Sequence, residues 1–358
     1  MPQVTTFPLT PPKSGTSNPK LFLHNHCYFI SSRCLEGLPF ICRAFMNLIL
    51  KSILARSLKL FDITLCDFIF MQNHFHLLLV INNPEHADAF IGHLKTETAH
   101  AINKMRGKKA GNFWQDCYDS PVILDLEKLK EQIVYLYTNP QKAGLVDDIA
   151  EYPGCSSWSM RCSEQQHQTV LHLPRRAMHK LAQGVLSRAQ ERHYIKRLQD
   201  YAYSDTERLS IDPRAAFEAV VALSGNPGNI SYQQFFEQCQ QEIQQRQLEL
   251  ARQRVDDNKK AIGARGLAKQ SFFKAYIPKK HGSKRMLCLS KHKHLRQRYI
   301  ALYKALKELA RKGYRRLKAG DYSREALEDF PPGLYLPGRV RIANIIPQVF
   351  WTGGFIPT

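Results

Sequence analysis

The chain has 358 residues and a formal net charge of +20, with 44% hydrophobic and 23% charged side chains. This composition is typical of a globular protein large enough for two domains, and it excludes a chain that is disordered throughout. No apolar run reaches the roughly 18 residues that a membrane helix needs, and the first twenty residues lack the apolar core of a signal peptide. The nine cysteines are scattered and form no C-x-x-C pair, so the sequence predicts a cytoplasmic protein without a zinc knuckle or a disulfide framework.

The hydrophobic pattern predicts alternating strands and helices in the first half of the chain. The predicted strands are 21–31, 61–71, 74–81 and 113–124, and the predicted helices are 45–58, 87–105 and 126–138. The last helix should stop before Pro140, because proline disfavours helical geometry in the preceding residue. This order predicts an α+β class, close to a ferredoxin-like arrangement, in which an antiparallel sheet carries helices on one face.

Beyond about Trp158 the pattern becomes mostly helical, with predicted helical segments at 175–223, 232–255 and 295–318. We therefore divide the chain into four parts by composition and periodicity. They are a flexible N-terminal tail at 1–20, an α+β domain at 21–160, a helical accessory region at 175–320 and an irregular Pro/Gly-rich tail at 321–358.

Nearly all of the excess positive charge lies in one segment. Between Lys259 and Lys318 the chain has 20 Lys and Arg against one acid, Glu308, whereas the rest is almost neutral. Aromatic residues are interleaved with these cations, which is typical of a surface that binds nucleic acid. The simpler alternative is a basic face that only keeps the protein soluble. The predicted DNA-binding residues here are Lys259, Lys260, Arg265, Lys279, Lys280, Lys284, Arg285, Arg296, Arg298, Arg315 and Arg316.

Three pairs of histidines have the spacing H-x-H. They are His24/His26, His74/His76 and His292/His294. In a strand, residues i and i+2 point to the same face, so the imidazoles of such a pair stand side by side as potential metal ligands. Strand histidines held only by hydrogen bonds are the structural alternative. The third pair lies among lysines and arginines, where repulsion disfavours a metal ion.

A second constellation begins at Tyr135, in the segment Tyr-Leu-Tyr-Thr-Asn-Pro-Gln-Lys-Ala-Gly-Leu-Val that ends at Val146. If this segment is helical, Tyr135 and Asn139 are i and i+4 and share one face. Tyr137 lies nearly opposite Asn139. The spacing therefore favours Tyr135 as the partner of Asn139, although most single tyrosines serve in packing.

Together, two stretches resemble the REP-associated tyrosine transposases, a branch of the IS200-like single-tyrosine HUH transposases. The family signatures are Met-Pro-Asn-His-x-His-Leu-Leu and Tyr-Ile-x-x-Asn-Pro-x-Arg-Ala-Gly-Leu-Val. This chain has Met-Gln-Asn-His-Phe-His-Leu-Leu from Met71 and the segment that starts at Tyr135. Gln72 stands where the family has proline, and Lys142 where it has arginine. The resemblance covers about residues 21–158.

The resemblance implies a function and a set of residues. His74, His76 and Asn139 would hold Mg²⁺ or Mn²⁺, and Tyr135 would be the nucleophile that attacks single-stranded or hairpin DNA. The product would be a 5′-phosphotyrosine and a free 3′-OH, which allows DNA cleavage and rejoining without ATP. A homodimer is left open, and no membrane partner is expected.

Two further contacts to DNA are predicted within the α+β domain. Trp114, in an aromatic stretch from Phe113 to Tyr118, could stack on unpaired bases, although such aromatics serve equally well in a core. Lys142 could neutralise a phosphate, with an ordinary lysine at a helix end as the alternative.

Two rival functions remain. A histidine-triad hydrolase is disfavoured because Leu78 occupies the third histidine position. A non-catalytic DNA-binding regulator would keep the fold and could keep the same side chains.

Overall fold

The computed structural model describes residues 20–35, 42–109, 111–163, 165–182, 186–202, 205–224, 230–271, 273, 286–321, 323 and 330–331. The predicted tails at 1–20 and 321–358 therefore lie almost entirely outside the described residues. None of the described helices is both long enough and apolar enough to cross a membrane.

The described strands form one sheet of five strands and a separate pair. The strands are β1 (His26–Arg33), β2 (Ile63–Phe70), β3 (His74–Ile81), β4 (Val122–Ile123), β5 (His167–Leu171), β6 (Thr206–Ser210) and β7 (Cys288–Leu289). The larger sheet has the order β2-β3-β1-β4-β7, and β5 pairs with β6. All neighbours are antiparallel except β4 and β7, which are parallel.

Nine helices are described in the same ranges. They are α1 (Ala44–Leu60), α2 (Pro84–Met105), α3 (Leu126–Lys142), α4 (Trp158–Arg161), α5 (Arg188–Ala202), α6 (Pro213–Ser224), α7 (Tyr232–Asp256), α8 (Gly263–Leu267) and α9 (Lys293–Lys318). The predicted α+β class is confirmed, and most predicted elements lie within a few residues of the observed ones. The predicted helical C-terminal region contains α5, α6, α7 and α9.

The two faces of the sheet are buried against different helices. Phe75 and Leu77 of β3 point into a core that includes α1 and α2, as the alternation predicts. Leu78 and Val80 point the other way, into a second core built with α3, α6 and α7. The sequence predicted helices on one face of the sheet, whereas helices cover both faces. The reason lies in β3 itself, because its near-continuous apolar run is typical of a strand buried on both faces.

Two predicted elements differ from the structure. The segment 113–124 forms a short strand only at its end, and Trp114 and Asp119 make isolated bridges to the β1 side. The segment 175–223, predicted as mostly helical, contains β6, which packs with β5 against α1. Only Val170 and Leu209 of this strand pair are buried. Each strand therefore has a single buried residue, which is too few to predict a strand from alternating apolar and polar residues.

The basic C-terminal region completes the sheet of the first domain. Cys288 and Leu289 pair with Val122 and Ile123, which adds β7 at the edge beyond β4. The following helix, α9, buries Tyr299 in the same core as Tyr28 of β1. The segment after residue 286 is thus an integral part of the α+β packing.

Candidate active site

His74 and His76 lie side by side on the sheet face that α3 covers. Their ring centroids are 4.9 Å apart. The Nδ1 atom of His74 is 2.7 Å from the side-chain oxygen of Asn73. Because a carboxamide oxygen only accepts, Nδ1 carries the proton and Nε2 keeps its lone pair. Neither ring nitrogen of His76 has a hydrogen-bond partner among the described residues, although both are buried.

Both imidazoles are neutral at physiological pH. Burial lowers the pKa of His74 to about 4, with a further contribution from the positive charge of Arg33. Burial also lowers the pKa of His76 well below its ordinary value, and His74 and Arg33 add to this effect. Neutral imidazole is the form that binds a metal ion. A buried imidazole with two unpartnered nitrogens is costly unless a ligand satisfies it, so the pair fits a cation.

Helix α3 brings Tyr135 onto the histidine pair. The rings of Tyr135 and His76 meet edge to face with centroids 5.3 Å apart, and Phe29 packs 6.1 Å from the same tyrosine. The Tyr135 side chain is half-buried. Burial raises the pKa of its phenol, while Arg33 and a hydrogen bond with Asn139 oppose that rise. The predicted i, i+4 relationship between Tyr135 and Asn139 is therefore present.

Asn139 completes the group from the last turn of α3. Its side-chain nitrogen is 3.4 Å from Nε2 of His74. The side chain is buried, with 6% of its surface exposed. Two imidazoles, an amide and a phenol thus meet at one point on the sheet. Among the described residues, no group of three His, Cys, Asp or Glu could hold a metal. The amide oxygen of Asn139 is a candidate third ligand beside the two imidazoles.

The end of α3 explains the second sequence motif, and it corrects the predicted stop before Pro140. The helix continues to Lys142 with Pro140 inside it, and only one backbone hydrogen bond is lost so near the end. Leu145 then donates its N–H to the carbonyl of Pro140, and Gly144 donates to Gln141. Gly144 has φ +68°, so these bonds form a Schellman motif. The Ala-Gly-Leu of the motif is a helix terminus that holds Asn139 in place.

Tyr137, the other tyrosine of the motif, is on the opposite side of α3 and fully buried. Its hydroxyl donates a hydrogen bond of 2.5 Å to Asp67 and lies 2.7 Å from the hydroxyl of Ser157. Asp67 also pairs with Arg161 at 2.5 Å. This buried network connects α3 to β2 and α4, and it leaves the Tyr137 phenol no access to a substrate.

Arg33 is a site residue that the sequence did not reveal. It ends β1 directly opposite His74 in the antiparallel register, and its side chain is exposed. Its positive charge adds to the burial that lowers the pKa of both histidines, and it partly offsets the burial that raises the pKa of Tyr135. The register of β1 against β3 could have pointed to it, but a single sequence does not specify that register.

The other two histidine pairs lie away from this group. His26 is at the opposite end of β1, and its Nδ1 bonds the carbonyl of His24 at 2.8 Å. His292 and His294 begin α9, with exposed rings 5.6 Å apart. Among the described residues, neither pair faces a helix that carries a tyrosine and an asparagine four residues apart, as α3 does.

Trp114, which was predicted to contact DNA, is a core residue in the structure. Its side chain is 5% exposed, its indole N–H donates to Thr98 at 2.8 Å, and its ring packs edge to face on Phe75. Phe113 and Tyr118 are also buried. The alternative interpretation, in which these aromatics fill the core, agrees with the structure.

The predicted basic residues differ in how exposed they are. Those with exposed side chains are Lys142, Lys259, Lys260, Arg265, Arg298 and Arg315. Arg296 is half-buried and donates to the carbonyls of Ser290 and Lys291, while Arg316 pairs with Asp321. The remaining four, Lys279, Lys280, Lys284 and Arg285, lie outside the described residues.

The first part of the basic segment lies next to the histidine pair. Ile262 and Gly263 donate their backbone N–H groups to the carbonyls of Gly144 and Leu145, which follow α3. Gln270 accepts a hydrogen bond from Gln72, two residues before His74. In contrast, α9 packs into the core on the opposite face of the sheet.

The site defines a class of protein, an α+β domain with a histidine pair on a central strand and a tyrosine on the facing helix. Residues 41–136 match the family model described as Transposase IS200 like. The resemblance predicted from the motifs is thereby confirmed, and the matched part contains His74, His76 and Tyr135.

This chain is similar to a solved structure of a REP-associated tyrosine transposase bound to a REP hairpin. The match covers 42% of this chain and 87% of the chain in that structure. The two share 14% sequence identity with a TM-score of 0.37. No curated protein matches the sequence.

Proposed function

We propose that this protein is a metal-dependent endonuclease and transposase that cleaves and rejoins single-stranded DNA through a covalent bond to Tyr135. The observation that carries the proposal is the meeting of Tyr135, His74, His76 and Asn139 on one face of the sheet. The match to IS200-like transposases over residues 41–136 supports the same class of reaction.

His74, His76 and Asn139 would hold the divalent ion, through Nε2 of His74, a ring nitrogen of His76 and the amide oxygen of Asn139. Mg²⁺ or Mn²⁺ bound there would neutralise charge on the non-bridging oxygens of the phosphodiester. The neutral, buried imidazoles need no deprotonation before they bind it.

In the cleavage step, the phenol oxygen of Tyr135 forms a bond to phosphorus as the bond to the 3′ oxygen breaks. The phenol loses its proton and the departing 3′ oxygen gains one, which leaves a 5′-phosphotyrosine and a free 3′-OH. Asn139 orients the phenol through its hydrogen bond, and the cation of Arg33 favours the phenolate. The phosphotyrosine bond keeps the energy for resealing.

The DNA substrate would be single-stranded at the cleavage point and folded as a hairpin nearby, as the motif resemblance implies. Lys259, Lys260 and Arg265 would contact the strand that leaves the site, because the backbone of their segment is hydrogen-bonded to the residues that follow α3. Neutralising these three to glutamine should weaken DNA binding and its salt dependence. The same substitutions at Arg214, Arg246 and Arg252 of α6 and α7, which are exposed and are not among the predicted DNA-binding residues, serve as the control. Equal losses in both variants would argue against this placement.

The decisive experiment is an adduct assay. A hairpin-containing oligonucleotide with a labelled 3′ end is incubated with the protein and Mn²⁺, and covalent complexes are separated on a denaturing gel. The wild-type protein should carry the label, and a chelator should abolish it. Hairpin binding without any adduct, at every divalent metal tried, would instead favour the non-catalytic DNA-binding regulator.

A further inference from the structure

A second charged site lies on the far side of the sheet from the histidine pair. A cleft of about 430 Å³ opens between α1, α2 and the short turn Arg175–Ala177. Its floor is apolar and belongs to the core beneath α1 and α2, with Ile53, Leu173 and Met178. This face is separated from Tyr135 by the whole thickness of the sheet.

The walls and rim of the cleft are strongly cationic. Its charged lining residues are Arg56, Lys104, Lys108, Lys109, Arg175 and one acid, Glu97. Lys104, Lys108 and Lys109 have exposed side chains at the end of α2. Lys104 donates to the backbone carbonyl of Arg175 at 3.1 Å, a contact that does not neutralise its charge.

Glu97 forms ion pairs with both arginines of the cleft, Arg56 and Arg175. It is 6% exposed, accepts from Nε of Arg175 at 2.9 Å and lies 3.5 Å from Arg56. One carboxylate shared between two guanidinium groups fixes the wall of the cleft and still leaves it positive. The three lysines therefore have no carboxylate to balance them among the lining residues.

We propose that this cleft is a second DNA site, which binds the phosphate backbone of a duplex stem while the substrate's unpaired part reaches Tyr135. The cations are spread along the rim instead of converging on one buried point, which suits a linear polyanion better than a single small anion. His100 is the one ring among the described lining residues, which include no Phe, Tyr or Trp, whereas single-strand sites use such aromatic side chains to stack bases. The proposal rests on the function proposed above.

The test replaces Lys104, Lys108 and Lys109 together by glutamine. These side chains are exposed, so the fold should be kept, and thermal unfolding checks this. The control variant replaces Arg214, Arg246 and Arg252 by glutamine. Those arginines are also exposed and lie on α6 and α7, on the opposite face of the sheet. Their replacement removes the same charge as replacement of the three lysines.

The measurement is the affinity for a fully paired hairpin across a salt series. Each lost phosphate contact lowers the slope of log affinity against log salt by about 0.9, so the cleft variant should lose about 2 to 3 in slope. Its affinity at low salt should fall at least about ten-fold. The control should keep both values. An unchanged slope in the cleft variant, or an equal change in the control, would overturn the proposal.

Two further arms separate other outcomes. If pyrophosphate raises the melting temperature of the wild-type protein but not of the cleft variant, and the DNA slope is unchanged, the cleft binds small anions and the duplex assignment is wrong. Adduct formation on an unpaired oligonucleotide at saturation should be equal in the wild-type protein and the cleft variant. Absence of any wild-type adduct, with the slope change present, would refute the catalytic function alone.

Discussion

The hydroxyl of Tyr137 donates a 2.5 Å hydrogen bond to the buried carboxylate of Asp67, while Tyr135, two residues earlier, turns its ring to His76. One helix thus carries two tyrosines with different roles on its two sides. The inner one anchors α3 to β2, and the outer one stands over the histidine pair.

This division predicts opposite results for two phenylalanine variants. Tyr135→Phe should abolish the covalent DNA adduct and leave the free energy of unfolding nearly unchanged. Tyr137→Phe should keep the adduct and lose about 1–3 kcal/mol of stability, because Asp67 loses a buried donor. Denaturant unfolding and the adduct gel measure both effects. An adduct formed by Tyr135→Phe but not by Tyr137→Phe would reverse the assignment.

Metal binding should depend on all three proposed ligands. His74→Ala, His76→Ala and Asn139→Ala should each weaken Mn²⁺ binding at least about ten-fold, as measured by calorimetry without DNA. His26→Ala is the matched control, since His26 belongs to an H-x-H pair at the other end of β1. Unaltered Mn²⁺ affinity in the Asn139 variant would remove the amide from the site.

The glycine that ends α3 offers a test of backbone strain. Gly144→Ala should cost about 1–2 kcal/mol, because the residue has φ +68° and a side chain there is strained even though the space around it is open. Gly92→Ala, in the middle of α2 and equally open, should instead stabilise by about 0.5–1 kcal/mol. Denaturant midpoints compare the two. Similar effects at both positions would mean that the Schellman motif contributes little.

Glu97 should make stability depend on pH. Burial alone would raise its pKa, but the hydrogen bond and charge of Arg175, together with Arg56, outweigh burial and lower it. A carboxylate with a lowered pKa stabilises the fold above its unfolded pKa, about 4.3, and loses that contribution as the pH falls through its folded value. Glu97→Gln should therefore cost about 1–3 kcal/mol at pH 7 and progressively less in acid. A cost that stays constant from neutral to acid pH would contradict this.

Trp114 distinguishes a packing role from a role in DNA binding. Trp114→Phe should lower stability by about 1–3 kcal/mol, through a smaller ring in the core and the loss of the bond to Thr98. Affinity for single-stranded DNA should stay the same within error in fluorescence anisotropy. A drop in affinity at unchanged stability would restore the stacking role.

Local patterns were sufficient to predict much of this molecule. The i, i+2 spacing of His74 and His76 and the i, i+4 spacing of Tyr135 and Asn139 each depend on one element, and both are present. The features that could not be predicted depend on how elements distant in sequence pack together. Arg33 lies beside the site because of the register between β1 and β3. The second helical layer forms because α6 and α7 pack on the sheet.

The distribution of charge could also be predicted only in part from the sequence. Counted along the chain, everything outside 259–318 is nearly neutral, which concealed the cationic cleft. Folding brings Arg175 to the lysines at the end of α2, while Glu97 is shared by two arginines. A linear count averages over such groupings, because it cannot tell which acids end up beside which bases.

The pairing of Cys288 with Val122 has a consequence for biosynthesis. The ribosome makes His74 and Tyr135 well before it makes β7, so while the chain is growing the β4 edge of the sheet has no partner strand. Until the last strand emerges, that edge offers unpaired backbone groups to any neighbouring chain. Completion of the fold therefore waits for a contact between residues far apart in sequence, and such contacts form slowly.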